Sequence, residues 1–274
     1  LKEAAHQAQR ITHHKSATNY LNGSEVTPSL IACAHLGWSL HRHINRRASI
    51  YKSFPGIYSM ERVKTGIDGL DELIEGGFKR GQIILVTGNA GSGKTTLCAQ
   101  YIYKGATDYD ENGMFISFEE SKNLLFDNMK RYGWDFERMD KEKKIAFLEY
   151  PTQDVEHFLS QESIIRDVIE ENDIKRVAID TITSFALIYE TEYRRRQEVA
   201  KLLSKLRRWG CTIMLTSEAR ITRHGHIVRF GLDSLSDGLI YLYNFRRYDV
   251  RIRALEVLKL RGTKHDQRLS LIHI

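Results

Sequence analysis

Cysteine is scarce in this sequence: Cys33, Cys98 and Cys211 are all it has. Three is an odd number, and their spacing suits neither a zinc site nor a disulfide framework. Thiols used this sparingly fit a reducing cytoplasm, which is the expected location. Long apolar runs are absent as well. None approaches the roughly 20 residues of a membrane-spanning helix, so no membrane contact is expected. The first residues lack the basic start, apolar stretch and small-residue site of a secretory signal. Methionine is missing before Met60, and the sequence changes character there.

A strong charge of one sign is missing from most of the chain. The formal net charge is +6, but residues 1–59 hold seven Lys/Arg against two Asp/Glu, which leaves only +1 for the remainder. The basic excess therefore belongs to the first segment, and it is weak support for nucleic-acid binding. That segment also holds six of the eleven histidines (His6, His13, His14, His35, His41 and His43). They are scattered without Cys/His spacing, which argues against a metal tail. With no lasting periodicity, residues 1–59 are expected to be disordered or non-native, from a reading frame taken too far upstream. Residues 60–268 are expected to be the folded domain. Leu269-Ser270-Leu271-Ile272-His273-Ile274 reads as the translated end of a sequencing adapter, with the native C-terminus lying beyond it.

What is present from Met60 onward is regular and long enough for a sizeable core. Gly88-Asn89-Ala90-Gly91-Ser92-Gly93-Lys94-Thr95-Thr96 fits the G-x-x-x-x-G-K-[ST] phosphate loop. The apolar run Ile83–Val86 before it predicts a buried strand, and residues 97–103 after it predict a helix. In that setting backbone N–H groups wrap phosphate oxygens at the positive end of a helix. Lys94 is then expected to reach the β- and γ-phosphates, and Thr95 to ligate Mg²⁺. The chain is expected to bind a nucleoside triphosphate.

Further elements follow in order. Residues 65–74 predict a short helix ended by Gly76-Gly77, and residues 113–118 a second buried strand closing on Glu119-Glu120. Residues 121–132 predict a helix, 145–148 a strand, 155–171 a helix and 176–180 a strand. Val199, Leu202, Leu203, Leu206 and Trp209 recur at helical spacing from about Glu192. Residues 211–215 predict a fifth strand, followed by a basic loop, Arg220 to Arg229. Strands near 238–244 and 251–261, joined through Phe245-Arg246-Arg247-Tyr248, read as an antiparallel addition. Alternating strands and helices predict a mostly parallel α/β sheet with its ligand at the strands' C-terminal ends.

Three groups carry candidate chemistry. Asp180 ends an apolar strand, where a carboxylate can hold a Mg²⁺ water and orient Thr95; such an Asp can equally cap the next helix. Glu119 and Glu120 end another strand, where a carboxylate can take a proton from the attacking water, or merely cap a helix. Lys259-Leu260-Arg261 alternates along a late strand, placing both cations on one face, for solubility or to neutralise transition-state charge.

Taken in order, Thr65-Gly66-Ile67-Asp68-Gly69-Leu70-Asp71, the phosphate loop, Phe118-Glu119-Glu120-Ser121, Ala178-Ile179-Asp180-Thr181 and Leu258-Lys259-Leu260-Arg261-Gly262-Thr263-Lys264-His265 resemble a KaiC-type domain of the RecA/RadA superfamily. The resemblance covers roughly residues 60–268. It implies a RecA-like fold, hydrolysis of ATP with Mg²⁺, and homo-oligomeric rings, hexamers among them, with nucleotide between subunits. It also implies Glu119 as catalytic base with Glu120 beside it. Lys259 and Arg261 would be fingers to the neighbour's phosphates, and Thr263 and His265 further contacts to that nucleotide. A second phosphate loop and a phosphorylated Ser-Thr pair find no match, so a circadian role is not implied. The expected output is regulatory, through a protein partner. The alternatives are a recombinase paralogue that binds single-stranded DNA through the 220–229 loop, a small-molecule kinase, and a nucleotide-gated scaffold with little turnover. DNA is not favoured, because that loop has no interleaved aromatics on which bases could stack.

Overall fold

Ile83, Ile84, Leu85 and Val86 are all fully buried, which requires a strand covered on both faces. Their side chains alternate: Ile84 and Val86 join one apolar cluster, Ile83 and Leu85 the other. That alternation divides the protein into a central sheet with a layer of helices on each side. The computed structural model describes residues 61–151, 158, 160–222, 225–228 and 231–272. The expectations for residues 1–59 lie outside the described residues.

The described elements run β1 (Arg62–Val63), α1 (Leu70–Leu73), β2 (Phe78–Lys79), β3 (Ile83–Gly88), α2 (Lys94–Asp108), β4 (Gly113–Ser117), α3 (Lys122–Lys130), α4 (Phe136–Lys141), β5 (Ile145–Glu149) and α5 (Glu162–Glu171). They continue with β6 (Arg176–Asp180), α6 (Ile182–Leu187), α7 (Glu192–Arg207), β7 (Thr212–Thr222), β8 (Gly225–Val228), α8 (Leu232–Leu235), β9 (Gly238–Arg247), β10 (Val250–Leu260) and β11 (Ser270–Leu271). The large sheet has the order β11-β10-β9-β3-β7-β6-β4-β5, with β8 paired to β7. Strands β9, β3, β7, β6, β4 and β5 are mutually parallel, and β10 and β11 run antiparallel.

The late strands refine the expectation. Only β10 and β11 are antiparallel additions; β9 joins β3 in parallel, Ile84 opposite Gly238 through Gly88 opposite Leu242. The expected connection through Phe245–Arg247 is strand, and the turn falls at Tyr248, whose φ is 55°. The expected basic loop is also strand. β7 runs on to Thr222 and pairs with β8 from Ala219–Val228 to Thr222–Gly225. Hydrogen bonding across that hairpin satisfies backbone groups that a loop would leave to water. Residues 152–154, 223–224 and 229–230 lie outside the described residues, as do 155–157 and 159 of the expected 155–171 helix.

Local chemistry sets the helix ends. Side-chain oxygens of Ser121, Asp135, Thr181 and Thr191 accept from backbone N–H groups in the first turns of α3, α4, α6 and α7, the usual N-cap role. The expected 65–74 helix shrinks to one turn. Asp71 accepts from the Thr65 N–H and Thr65 Oγ1 from the Ile67 N–H, local bonds that compete with a helix.

At the N-terminal edge of the sheet, fully buried Arg176 of β6 fastens α2. Its guanidinium stacks over Tyr101 at 4.8 Å and Tyr109 at 5.2 Å. Nη1 donates to the Tyr101 carbonyl (3.2 Å) and Nε to Glu111 (2.7 Å). Glu111 also takes Arg80 at 2.6 Å.

Candidate active site

The segment after β3 turns sharply because it has little room. A Cβ at Gly88 would lie 2.3 Å from the Leu242 carbonyl oxygen of β9, so any larger residue would push the loop off the sheet. Gly93 then adopts φ 97° as N-cap of α2, a left-handed conformation that favours glycine. The first turn of α2 carries no acidic residue, so its positive end is left for an external anion. Asn89, Ala90 and Gly91 cross the rim of the loop. Asn244 of β9 braces it by donating Nδ2 to the Gly91 carbonyl (3.0 Å). Ser92 is buried, and its hydroxyl has no partner. Lys94 Nζ bends back onto the carbonyls of Gly88 (3.1 Å) and Asn89 (3.2 Å). Burial pulls its ammonium below the ordinary lysine value, opposed by Asp180, Glu218 and Glu119. A poorly hydrated cation that leans on carbonyls for want of a better acceptor fits a phosphate.

Thr95 and Thr96 follow on the first turn of α2. Thr95 Oγ1 donates to Asp180 Oδ2 at 2.6 Å, linking α2 to the end of β6. Thr216 on β7 donates to the other oxygen, Asp180 Oδ1. Asp180 is 6% exposed and leaves the helix cap to its neighbour, since Thr181 Oγ1 accepts from the Thr183 N–H at 3.3 Å. One hydroxyl beside one carboxylate is a donor set suited to Mg²⁺, which otherwise completes its shell with water and phosphate oxygens. Among the described residues no cluster of three or more His, Cys, Asp or Glu is arranged to hold a metal. Bound there, Mg²⁺ would neutralise charge on the terminal phosphates.

Glu119 and Glu120 are likewise free of capping, because Ser121 caps α3. Exposed Glu119 accepts from Ser184 Oγ at 2.8 Å, which aims its carboxylate from the side of α6. Glu120 points inward, and its Oε2 is buried without a partner. Burial raises the Glu120 carboxyl above the ordinary glutamate range, with Asp180 and Glu119 adding to it and Asn128 opposing. The two neighbours thus differ in kind. Glu119 is a solvent-facing, oriented carboxylate, whereas Glu120 is turned inward, with its carboxyl raised by burial.

These residues meet at the C-terminal ends of β3, β6 and β4, whereas Lys259, Arg261, Thr263 and His265 lie elsewhere. Leu260 pairs with Gly238, and Gly238 with Ile84, which sets this corner beside the start of β3. The loop begins at the other end of β3, roughly 17 Å away at about 3.3 Å per residue. Lys259 Nζ donates to the carbonyls of Asp233 (2.6 Å) and Ser236 (2.7 Å). Arg261 donates to the Ser234 carbonyl (2.9 Å) and faces Asp237 (3.5 Å). Buried Thr263 accepts from Arg62 at 2.9 Å, and His265 Nδ1 lies 3.4 Å from the Thr263 carbonyl oxygen. Within one chain, these cations therefore stand about a strand's length from the loop.

Comparisons with known proteins identify the family and the fold. The family model described as "ATPase: KaiC" matches residues 63–274. The chain belongs to the KaiC ATPase family. A circadian clock oscillator protein KaiC of Prochlorococcus marinus is 36% identical over 214 residues, spanning 75% of this chain and 42% of that protein. The KaiC of Synechococcus elongatus is 33% identical over 215 residues, with 76% and 41% covered. The chain thus spans less than half the length of these curated relatives. The crystal structure of a KaiC-like protein from the archaeon Pyrococcus horikoshii OT3 superposes with a TM-score of 0.70 at 39% identity, covering 78% of this chain and 95% of that one. The fold is the RecA-like one of KaiC domains. No helix among the described residues is long and apolar enough to cross a membrane.

Ser184, Thr216, Asn244 and Asp237 escaped the reading from sequence. The polar run Thr216-Ser217-Glu218 after the apolar stretch of β7 was an available signal, because buried polar residues at a strand end face a site or a partner. Nothing local marks Ser184 or Asn244, since their partners are 65 and 153 residues away in sequence.

Proposed function

We propose that this KaiC-family chain binds ATP with Mg²⁺ at the Gly88–Thr96 loop and hydrolyses it, as a cytoplasmic homo-oligomer with nucleotide at the subunit interfaces. The Thr95–Asp180 hydrogen bond, closed at 2.6 Å beside a carboxylate held by Ser184, carries the reading. It sets the metal-binding pair before any ligand arrives, so little reorganisation is needed at the moment of reaction. The loop N–H groups and Lys94 hold the triphosphate, and Thr95 and Asp180 would hold Mg²⁺. Glu119 orients a water in line with the γ-phosphate and takes its proton. Lys259 and Arg261 act on the phosphates of an adjoining copy, with Thr263 and His265 in the same corner supporting that contact. The position of this corner, a strand's length from its own loop, supports action between copies. The output is regulatory, through a protein partner, and the near-neutral charge of the region after residue 59 favours a partner other than DNA.

Phosphate release from ATP by the chain, measured alongside its size on a gel-filtration column with and without single-stranded DNA, tests this. Turnover in an oligomeric fraction, unchanged by DNA, is the expected outcome. Turnover that rises severalfold with DNA, with the DNA co-eluting, would replace it with the recombinase reading. Nucleotide-dependent assembly without phosphate release would replace it with a scaffold.

A further inference from the structure

The corner that holds Lys259 and Arg261 contains a third cation and a buried carboxylate to which the reading above gives no task. Asp237 lies between α8 and β9 and is 8% exposed. Its Oδ2 accepts from the Ile83 N–H at 3.0 Å, at the start of β3. Arg207, on the last turn of α7, grips both of its oxygens, Nη1 to Oδ2 at 2.7 Å and Nη2 to Oδ1 at 3.1 Å. Arg261 reaches Oδ1 from the other side at 3.5 Å. Lys259 sits on the carbonyls of Asp233 and Ser236, two residues of the same turn. Two guanidinium groups therefore pair with one buried carboxylate, with the Lys259 ammonium close by, and the Arg207 and Arg261 side chains stay 40% and 54% exposed. Like charges this close repel, and a carboxylate this buried is tolerable only when paired. The carboxylate is what allows the cations to stand side by side.

We propose that Asp237 is a positioning residue that holds Arg207, Arg261 and Lys259 as one cationic corner for the triphosphate of an adjoining copy, with Arg207 its third member. This rests on the reading that Lys259 and Arg261 act between copies. Asp237 touches no substrate; it acts by fixing the direction of the two guanidinium groups and by offsetting their charge at Lys259. Burial already draws the Lys259 ammonium below its ordinary value, Arg261 and Arg207 draw it further, and Asp237 and Asp233 oppose them. Those four groups are the charged neighbours of Lys259. Its protonation therefore reports on the corner.

The test compares the parent chain with Asp237→Asn, Arg207→Gln and Arg261→Ala, measuring kcat and KM for ATP with Mg²⁺ from neutral to alkaline pH, together with thermal midpoint and oligomer size. Asp237→Asn should lower kcat by about tenfold or more, as misplacement of a catalytic contact does, with KM changed less than about twofold. Its alkaline limb should move to lower pH, because Lys259 loses a favourable charge. Arg207→Gln should lower kcat severalfold and move that limb to higher pH, because Lys259 loses a repulsive one. Opposite shifts from neighbouring variants are not expected of a residue that only braces the fold. Parent kcat in Asp237→Asn overturns the proposal. So does a lowered thermal midpoint with an unmoved limb, which would leave Asp237 as an acceptor for Ile83 alone. Should Asp237→Asn fail to fold, Arg207→Gln decides, with an upward limb in favour and an unmoved limb against. Parent turnover in Arg261→Ala removes the interfacial reading and this proposal together. An inactive Arg261→Ala beside a parent-like Asp237→Asn removes this proposal only.

Discussion

The two ends of β3 make opposite use of charge. At its C-terminal end, anionic groups predominate: Asp180, Glu119 and Glu218 act on one lysine, and Thr95 and Ser184 hold Asp180 and Glu119 within the chain. At its N-terminal end, Arg261 and Arg207 share the buried carboxylate of Asp237, and Lys259 stands beside them on the Ser236 carbonyl. A triphosphate carries more negative charge than Lys94 can offset, and the cationic corner has more positive charge than Asp237 can. Each end is incomplete in the sense the other would satisfy, yet the strand that joins them keeps them apart. In the proposed assembly, two copies placed end to end would resolve both.

The largest test of this contrast is the removal of Lys94. Lys94→Ala removes the side-chain cation that faces Asp180, Glu119 and Glu218, and a fluorescent ATP analogue should show no saturable binding. Retained binding would mean that loop N–H groups suffice, and the anionic end would need no outside help. Next in size is Arg261→Ala, expected to keep nucleotide binding and lose about 10³-fold or more in turnover, the scale of fingers that stabilise a transferring phosphoryl group. Mixed with Lys94→Ala subunits it should recover part of the activity, because some interfaces pair an intact loop with an intact finger. A mixture that stays inactive although mixed oligomers form would break the comparison at its centre.

Glu119→Gln is a smaller perturbation, expected to spare binding and cut turnover by about 10²-fold. Parent-like turnover would move the base to Glu120. The smallest effect concerns Glu120 itself. Its folded pKa lies above the unfolded one, so the folded state holds this proton more tightly. The stability it contributes is fully present below about pH 4.5, the ordinary glutamate value, and is lost as pH rises through the raised value. In the parent, the thermal midpoint should therefore contain a component that declines over that window. Glu120→Gln should lack the component, and Glu119→Gln should keep it.

The anionic end was far more legible in the sequence than the cationic one. Strand, loop and helix around Lys94 are contiguous, so their spacing alone places Thr95 on the first helical turn after the loop. Asp180 closes an apolar run whose bounds, 176–180, match the strand. Local signals failed where backbone pairing runs through polar residues. β7 continues past Thr216-Ser217-Glu218 because β3 and then β8 offer hydrogen bonds, not because of side-chain pattern. Helices α4 and α6, six residues each, are too short to show a period. Asp237 reads as an ordinary turn aspartate, and its meaning comes from Arg207 and Arg261, 30 and 24 residues away in opposite directions.

The buried Arg176 has a mechanical consequence. Lys94 and Thr95 ride on the first turn of α2, and the far half of that helix is fastened to β6 by Arg176 at the Tyr101 carbonyl and ring. A rod fastened at its far half cannot piston when its near end takes a ligand. The α2 axis is then a stationary post, and under the proposed function any motion between nucleotide states would fall to parts that are not fastened to it: the loop ahead of the post, the hairpin of β7 and β8, and a seam with an adjoining copy. A signal leaving this site would travel outward along those parts.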